Sequence, residues 1–76
     1  MDYTKRLKDL RVKKGLYQRD IAEIIGTSQK QYSRYETGTE MPYSLLVKLS
    51  NFYEVSTDYI LGKTDTKEQY PRKNIK

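Results

Sequence analysis

The sequence predicts an all-α fold in a single small domain. Apolar residues recur at intervals of three or four positions along most of the chain, as they do in amphipathic helices. Serine caps and glycines divide the chain into short segments. With 76 residues and no cysteine, the domain has a small core that only helix packing can stabilise.

The first predicted helix spans residues 4–14. Leu7 and Leu10 follow each other at helical spacing and predict the buried side of this helix. Gly15 ends it, and Leu16 is expected to fill the core beneath the turn.

The second and third predicted helices are separated by Gly26. Residues 18–25 form an amphipathic helix of about two turns, with Ile21, Ala22 and Ile25 on one side. Ala22 is the only alanine in the chain, and its small side chain allows two helices to cross closely. Gly26 can adopt the left-handed backbone that ends a helix.

The third helix begins after Ser28, which can accept a hydrogen bond from the first turn, with Gln31 completing a capping box. Tyr32 and Tyr35 lie three residues apart and are predicted to face the core. The remaining side chains of this helix point outward and are long or polar: Gln29, Lys30, Ser33 and Arg34.

Two more helices complete the predicted domain. Pro42 suits the first position of a helix, and Ser56 can cap a last short helix that Gly62 ends. The fourth helix carries a broad apolar stripe formed by Leu45, Leu46, Leu49, Phe52 and Tyr53.

Residues 18–36 therefore predict a helix-turn-helix, in which the second helix enters the DNA major groove and the first lies across the backbone. Gln can pair with adenine, and Arg or Lys with guanine. Gln18 would then face a phosphate. The alternative is an ordinary surface helix whose polar residues are only solvated.

Residues 7–62 resemble the Cro/repressor-type helix-turn-helix family, also called the xenobiotic-response-element family. Tyr17 departs from the family pattern, because that position is usually a Ser or Thr that caps the second helix. The matching stretches occur in the family's order and spacing: Leu7–Arg11, Gly15–Gln18, Ile21–Ala22, Ile25–Gly26, Tyr32–Gly38, Leu46–Leu49 and Val55–Gly62.

This resemblance implies a compact five-helix, lambda-repressor-like domain over residues 1–62. It also implies a regulator, predicted to be a repressor, that binds double-stranded DNA as a homodimer on an inverted-repeat operator. Arg11 and Glu36 are expected to form a partly buried ion pair. Residues 63–76 contain little apolar surface and predict a flexible basic tail.

Specific roles follow for the side chains near the DNA. We predict base contacts from Gln29, Lys30, Ser33 and Arg34. Phosphate contacts are predicted from Gln18, Thr37, Gly38 and Tyr43, although the ring of Tyr43 could instead be partly buried. The candidate dimer surface consists of Phe52, Tyr53, Val55 and Tyr59.

The charge distribution agrees with nucleic-acid binding. The net charge is +5, with +4 in residues 1–38, −2 in residues 39–62 and +3 in residues 63–76. The helix-turn-helix therefore lies in a basic half, and basic residues supply sequence-independent affinity for phosphates. A generic lysine-rich surface is the alternative.

Other classes of protein are disfavoured. With no histidine and no cysteine, neither histidine-based catalysis nor a Cys/His metal site is possible, and we expect no enzyme activity, cofactor or small-molecule ligand. No signal peptide or membrane span is recognisable, so a cytoplasmic bacterial or phage-encoded protein is expected. A DNA-binding antitoxin, a restriction-modification controller and a protein-interaction adaptor remain open alternatives.

Overall fold

The computed structural model describes residues 3–69, which form five helices and no strand. The predicted all-α fold is therefore confirmed. The helices are α1 (Tyr3–Lys13), α2 (Gln18–Ile25), α3 (Gln29–Tyr35), α4 (Tyr43–Tyr53) and α5 (Thr57–Ile60).

The helix caps fix these boundaries. The Ser28 hydroxyl accepts a hydrogen bond from the Gln31 backbone N–H at 3.0 Å, and this bond starts α3. At the start of α2 the side chain of Tyr17 does not cap the helix. Instead, the carboxylate of Asp20 accepts a hydrogen bond from the Tyr17 backbone N–H at 2.8 Å, which also places a negative charge at the positive end of the helix.

All five helices contribute residues to one core, and α2 and α3 make the most extensive helix–helix contact. Gly26 has a φ of 81°, and its N–H donates to the Ala22 carbonyl at 2.9 Å, so α2 ends sharply enough for α3 to fold back. The buried apolar residues are Leu7, Leu10, Ile21, Ala22, Ile25, Tyr32, Tyr35, Met41, Leu46, Leu49, Tyr53, Val55 and Ile60.

Two residues of the predicted dimer surface belong to this core. Tyr53 is 7% exposed and Val55 is 4% exposed in the single chain, so neither can form a surface for a second copy. Phe52 and Tyr59 are half-buried. The apolar stripe on α4 is broad because Leu46, Leu49 and Tyr53 are buried in the core, while Leu45 and Phe52 are partly buried and pack against it.

The structure also corrects the boundary of the predicted tail. Residues 63–69, here called the C-terminal strap, are bonded to the body of the domain. The backbone N–H of Ser56 donates to the Lys67 carbonyl at 2.8 Å, and the Gln69 amide donates to the Ser50 carbonyl at 3.1 Å. A flexible tail starting at Lys63 is therefore wrong for this segment; residues 70–76 lie outside the described residues.

Between residues 3 and 69, none of the helices is long and apolar enough to cross a membrane. Over the same range, no cluster of three acidic side chains is arranged to hold a metal ion.

Candidate nucleic-acid interface

The outer face of α3 forms one wall of a shallow, open depression that we call the α3 groove. It brings together all four residues predicted to contact bases and one predicted to contact a phosphate. The lining residues are Gln18, Gln29, Lys30, Ser33 and Arg34. Because α3 begins at Gln29, two of these side chains lie in its first turn, and a helix inserted into the major groove contacts bases through its N-terminal residues.

The predicted ion pair between Arg11 and Glu36 is present, and it is connected to this groove through Gln18. Two nitrogens of Arg11 contact the two carboxylate oxygens of Glu36, Nε–Oε2 at 2.7 Å and Nη2–Oε1 at 3.1 Å. Arg11 Nη1 also donates to the Leu16 carbonyl at 3.0 Å. This bidentate geometry ties α1 to the end of α3 and to the turn before α2.

Glu36 accepts two further hydrogen bonds that the sequence did not indicate. The hydroxyl of Tyr32 donates to Oε2 at 2.7 Å, and the amide of Gln18 donates to Oε1 at 3.1 Å. The carboxylate therefore receives four hydrogen bonds from three helices, and its side chain is only 5% exposed. As a result, Gln18, which lines the α3 groove, is hydrogen-bonded directly to the buried ion pair.

These contacts perturb the titration of the groups involved. Burial alone would raise the pKa of Glu36, but hydrogen bonds from Arg11, Tyr32 and Gln18 outweigh it and hold the pKa below its usual value. The bond to Glu36 raises the pKa of Arg11. Burial, reinforced by the adjacent carboxylate, raises the pKa of Tyr32. The network is therefore a charged pair with a neutral tyrosine at neutral pH.

The other residues predicted to contact phosphates lie beyond the end of α3. Tyr43 is 75% exposed, so the alternative of a partly buried ring is wrong and its hydroxyl faces solvent. Gly38 is exposed and has a φ of 127°. The hydroxyl of Thr37 donates to the Arg34 carbonyl at 3.0 Å, so its single proton already caps α3 and is not available to a phosphate in this conformation.

One important residue escaped the sequence analysis. Arg6 is 3% exposed, and its guanidinium lies 3.8 Å from the centre of the Tyr59 ring. It donates to the Tyr59 carbonyl at 2.9 Å and to the Thr64 carbonyl at 3.4 Å, and it contacts Asp65 at 3.5 Å. Arg6 thus joins α1 to α5 and to the C-terminal strap. The only signal in the sequence was its position four residues before Leu10, which places it on the buried side of α1.

A turn between two short helices, with the second helix presenting long polar side chains, defines a helix-turn-helix domain. A protein-family model described as a helix-turn-helix domain matches residues 4–66 of the chain. The chain therefore belongs to the Cro/repressor-type helix-turn-helix family, whose members are DNA-binding regulators of transcription.

Three relatives illustrate the family. The HTH-type transcriptional regulator ImmR of Bacillus subtilis (strain 168) is 41% identical over 70 residues, covering 91% of this chain and 55% of ImmR. YobD of the same strain, described as an uncharacterized HTH-type transcriptional regulator, is 41% identical over 76 residues, covering 97% and 68%. The cryptic phage CTXphi transcriptional repressor RstR of Vibrio cholerae is 32% identical over 65 residues, covering 84% and 59%.

The chain spans little more than half the length of ImmR and RstR. No solved structure matches it significantly.

Proposed function

We propose that this chain binds double-stranded DNA in a sequence-specific manner and represses transcription as a homodimer on an inverted-repeat operator. The observation that carries the proposal is the α3 groove. Its lining combines two amides, two cations and a hydroxyl, which are the side chains that recognise base edges in the major groove. An apolar outer face on α3 would have favoured a protein partner instead.

In this proposal the groove residues divide into two roles. Gln29, Lys30 and Arg34 are exposed on α3 and contact base edges, with Ser33 beside them. Gln18 contacts a phosphate at the start of α2. Its amide retains one N–H for that contact, because the other donates to Glu36.

Phosphate contacts beyond α3 complete the proposed interface. Tyr43 and the backbone of Gly38 bind phosphates of the DNA. Thr37 can bind a phosphate only if its hydroxyl gives up its hydrogen bond to the Arg34 carbonyl. These contacts set the position of α3 without reading sequence. The family relationship to a phage repressor supports repression, and the bacterial and phage relatives support a role in the bacterial cytoplasm.

The test is a selection of binding sites from fragmented double-stranded genomic DNA at about 0.15 M salt. Wild type is compared with Arg34→Ala and with Lys8→Ala. Lys8 is exposed on α1 outside the groove, so this control removes one positive charge elsewhere.

We expect wild type and the Lys8→Ala control to enrich the same short inverted repeat, and Arg34→Ala to enrich it weakly or with a blurred half-site. Binding without an enriched sequence, equal in all three proteins, would reduce the activity to nonspecific electrostatics. In that case a protein-interaction adaptor would become the better assignment.

A further inference from the structure

Gln18 differs from the other residues of the α3 groove because its side chain is bonded to the interior of the domain. Its amide donates to Oε1 of Glu36 at 3.1 Å, and the residue is half-buried. Within residues 3–69, the side chains of the other four lining residues make no hydrogen bond or ion pair. The side chain proposed to contact a phosphate is therefore ordered in the free chain, whereas those proposed to contact bases are not tied to the core.

The acceptor on Glu36 also fixes which way the amide of Gln18 turns. An ionised carboxylate only accepts hydrogen bonds, so the NH2 group of Gln18, and not its oxygen, must face Glu36. One N–H is used in that bond, and the planar amide then sets the direction of the second. Ordering a mobile glutamine side chain on binding weakens affinity about two- to tenfold, and this chain avoids that loss at Gln18.

A carboxylate beside a phosphate contact would ordinarily repel DNA, and Arg11 removes that conflict. Two of its nitrogens pair with the two oxygens of Glu36, at 2.7 and 3.1 Å, so the pair carries no net charge. The groove keeps the positive charges of Lys30 and Arg34, which attract phosphates. Glu36 can therefore orient the amide of Gln18 without opposing the approach of DNA.

We propose that Glu36 is a positioning residue for DNA binding, and that it acts by holding the amide of Gln18 in the orientation that donates to a phosphate. The inference rests on the proposed function and deepens it, because it assigns part of the affinity for the DNA backbone to a buried network that does not touch DNA. This role is separable from stabilisation by the same network, since Gln18 bonds to Oε1 of Glu36, whereas Tyr32 bonds to Oε2.

The orientation of Gln18 is measured first in the free chain, by heteronuclear relaxation of the side-chain NH2 groups. Gln29 provides the comparison, because it lines the same groove and is exposed at the start of α3. We expect a clearly higher order parameter for Gln18 than for Gln29 on the picosecond to nanosecond timescale. Equal mobility of the two side chains would overturn the inference, and this measurement requires neither DNA nor a variant.

DNA binding then tests the role through a double-mutant cycle. Arg11→Met and Glu36→Met are made together, because replacing both partners of a buried pair by apolar residues costs far less stability than removing one. The two changes remove one positive and one negative charge and so leave the net charge at +5. They are combined with Gln18→Met, which removes the amide. Affinities are measured by fluorescence anisotropy at a temperature at which circular dichroism shows every variant folded.

We expect the Arg11→Met/Glu36→Met protein to bind about two- to tenfold more weakly than the wild type. The loss should be equal on a duplex that carries the enriched repeat and on one of mixed sequence, because a phosphate contact reads no sequence. In the Gln18→Met background the same two changes should have no further effect. Tyr32→Phe is the matched control, because it removes a bond to the same carboxylate but leaves Gln18 bonded, and it should bind as the wild type does.

The inference is overturned if the paired methionine changes leave affinity unchanged, or if Gln18→Met binds as tightly as the wild type. It also fails if the paired changes weaken binding as much in the Gln18→Met background as in the wild type, which is the result that a general distortion of α3 would give. Each of these results leaves the proposed function intact, because the enriched repeat and its dependence on Arg34 are measured separately. A wild type that binds neither duplex would instead remove the proposed function and this inference together.

Discussion

Replacing Glu36 by glutamine tests whether the buried network at the end of α3 stabilises the fold. The substitution keeps the size of the side chain but removes its charge and turns one acceptor oxygen into an NH2 donor. In the wild type each carboxylate oxygen accepts one bond from Arg11 and one from a neutral donor. The variant therefore sets an N–H of Arg11 against the new NH2 group, whichever way the amide turns.

The expected cost follows from this geometry. Removing one partner of a buried ion pair costs roughly 3–5 kcal/mol. The side chain of Arg11 keeps 13% exposure and its bond to the Leu16 carbonyl, and the glutamine oxygen still accepts two bonds. We therefore expect a smaller loss than that range, about 2 kcal/mol. For a domain of this size this corresponds to a fall in Tm of about 8–16 °C.

Thermal unfolding followed by circular dichroism at pH 7 measures this loss. Glu23→Gln is the matched control, because it makes the same chemical change at an exposed position on α2. We expect the control to melt with the wild type. If Glu36→Gln also melted within a degree or two of the wild type, the negative charge of Glu36 and its paired bonds to Arg11 would contribute nothing to stability, and the reasoning would be refuted.

The pH dependence gives a second readout. The pKa of Glu36 in the folded chain is held below its ordinary value of 4.5, so the folded state binds this proton less readily than the unfolded state. Its contribution to stability is therefore present above about pH 4.5 and is lost as the pH falls through the folded-state pKa. The Tm difference between wild type and Glu36→Gln should shrink in acid; a constant difference would assign the effect to packing instead.

Three further outcomes are expected. Arg6→Met removes the side-chain donor to the carbonyls of Tyr59 and Thr64, although the Gly62 N–H still donates to the first of these. It should lower the free energy of unfolding by about 1–3 kcal/mol in urea melts; an unchanged midpoint would mean that the strap is not held by this residue. Gly26→Ala would place the new methyl group 3.8 Å from Lys48 Nζ, which is an ordinary contact, but the residue keeps a φ of 81°. A loss of about 1 kcal/mol is therefore expected, and several times that would indicate a clash. Tyr43→Phe should leave Tm unchanged, because the ring is exposed, and should weaken DNA binding equally on all sequences; a loss confined to one sequence would contradict a phosphate contact.

Local signals were sufficient to predict the helices and the turn between α2 and α3. Ser28 and Gly26 act through bonds to residues within four positions, so their effects are contained in a short stretch of sequence. Pro42 shows the limit of this precision, since it precedes α4 instead of occupying its first turn. The residues lining the α3 groove were grouped correctly because they share one helix face and the start of the helix before it.

Contacts between distant residues were harder to predict. Arg6 bonds to groups more than 50 positions away, and a charged residue in an amphipathic helix ordinarily faces solvent. The C-terminal strap was missed because hydrogen bonds to backbone groups attach it, as between Ser56 and Lys67. Such bonds leave no apolar pattern in the sequence. Tyr53 and Val55 were placed on the surface because hydrophobicity alone does not separate a core from an interface.

The network around Glu36 separates two kinds of groove residue. Gln29, Lys30 and Arg34 are exposed on α3, so substitutions there alter the surface offered to DNA at little cost to the core. Gln18 differs, because its amide shares an oxygen of Glu36 with Arg11. Changing Gln18 therefore disturbs the ion pair that joins α1 to α3. Under the proposed function, a new DNA sequence preference can therefore arise by exchanging residues on α3, while Gln18 remains constrained by the stability of the domain.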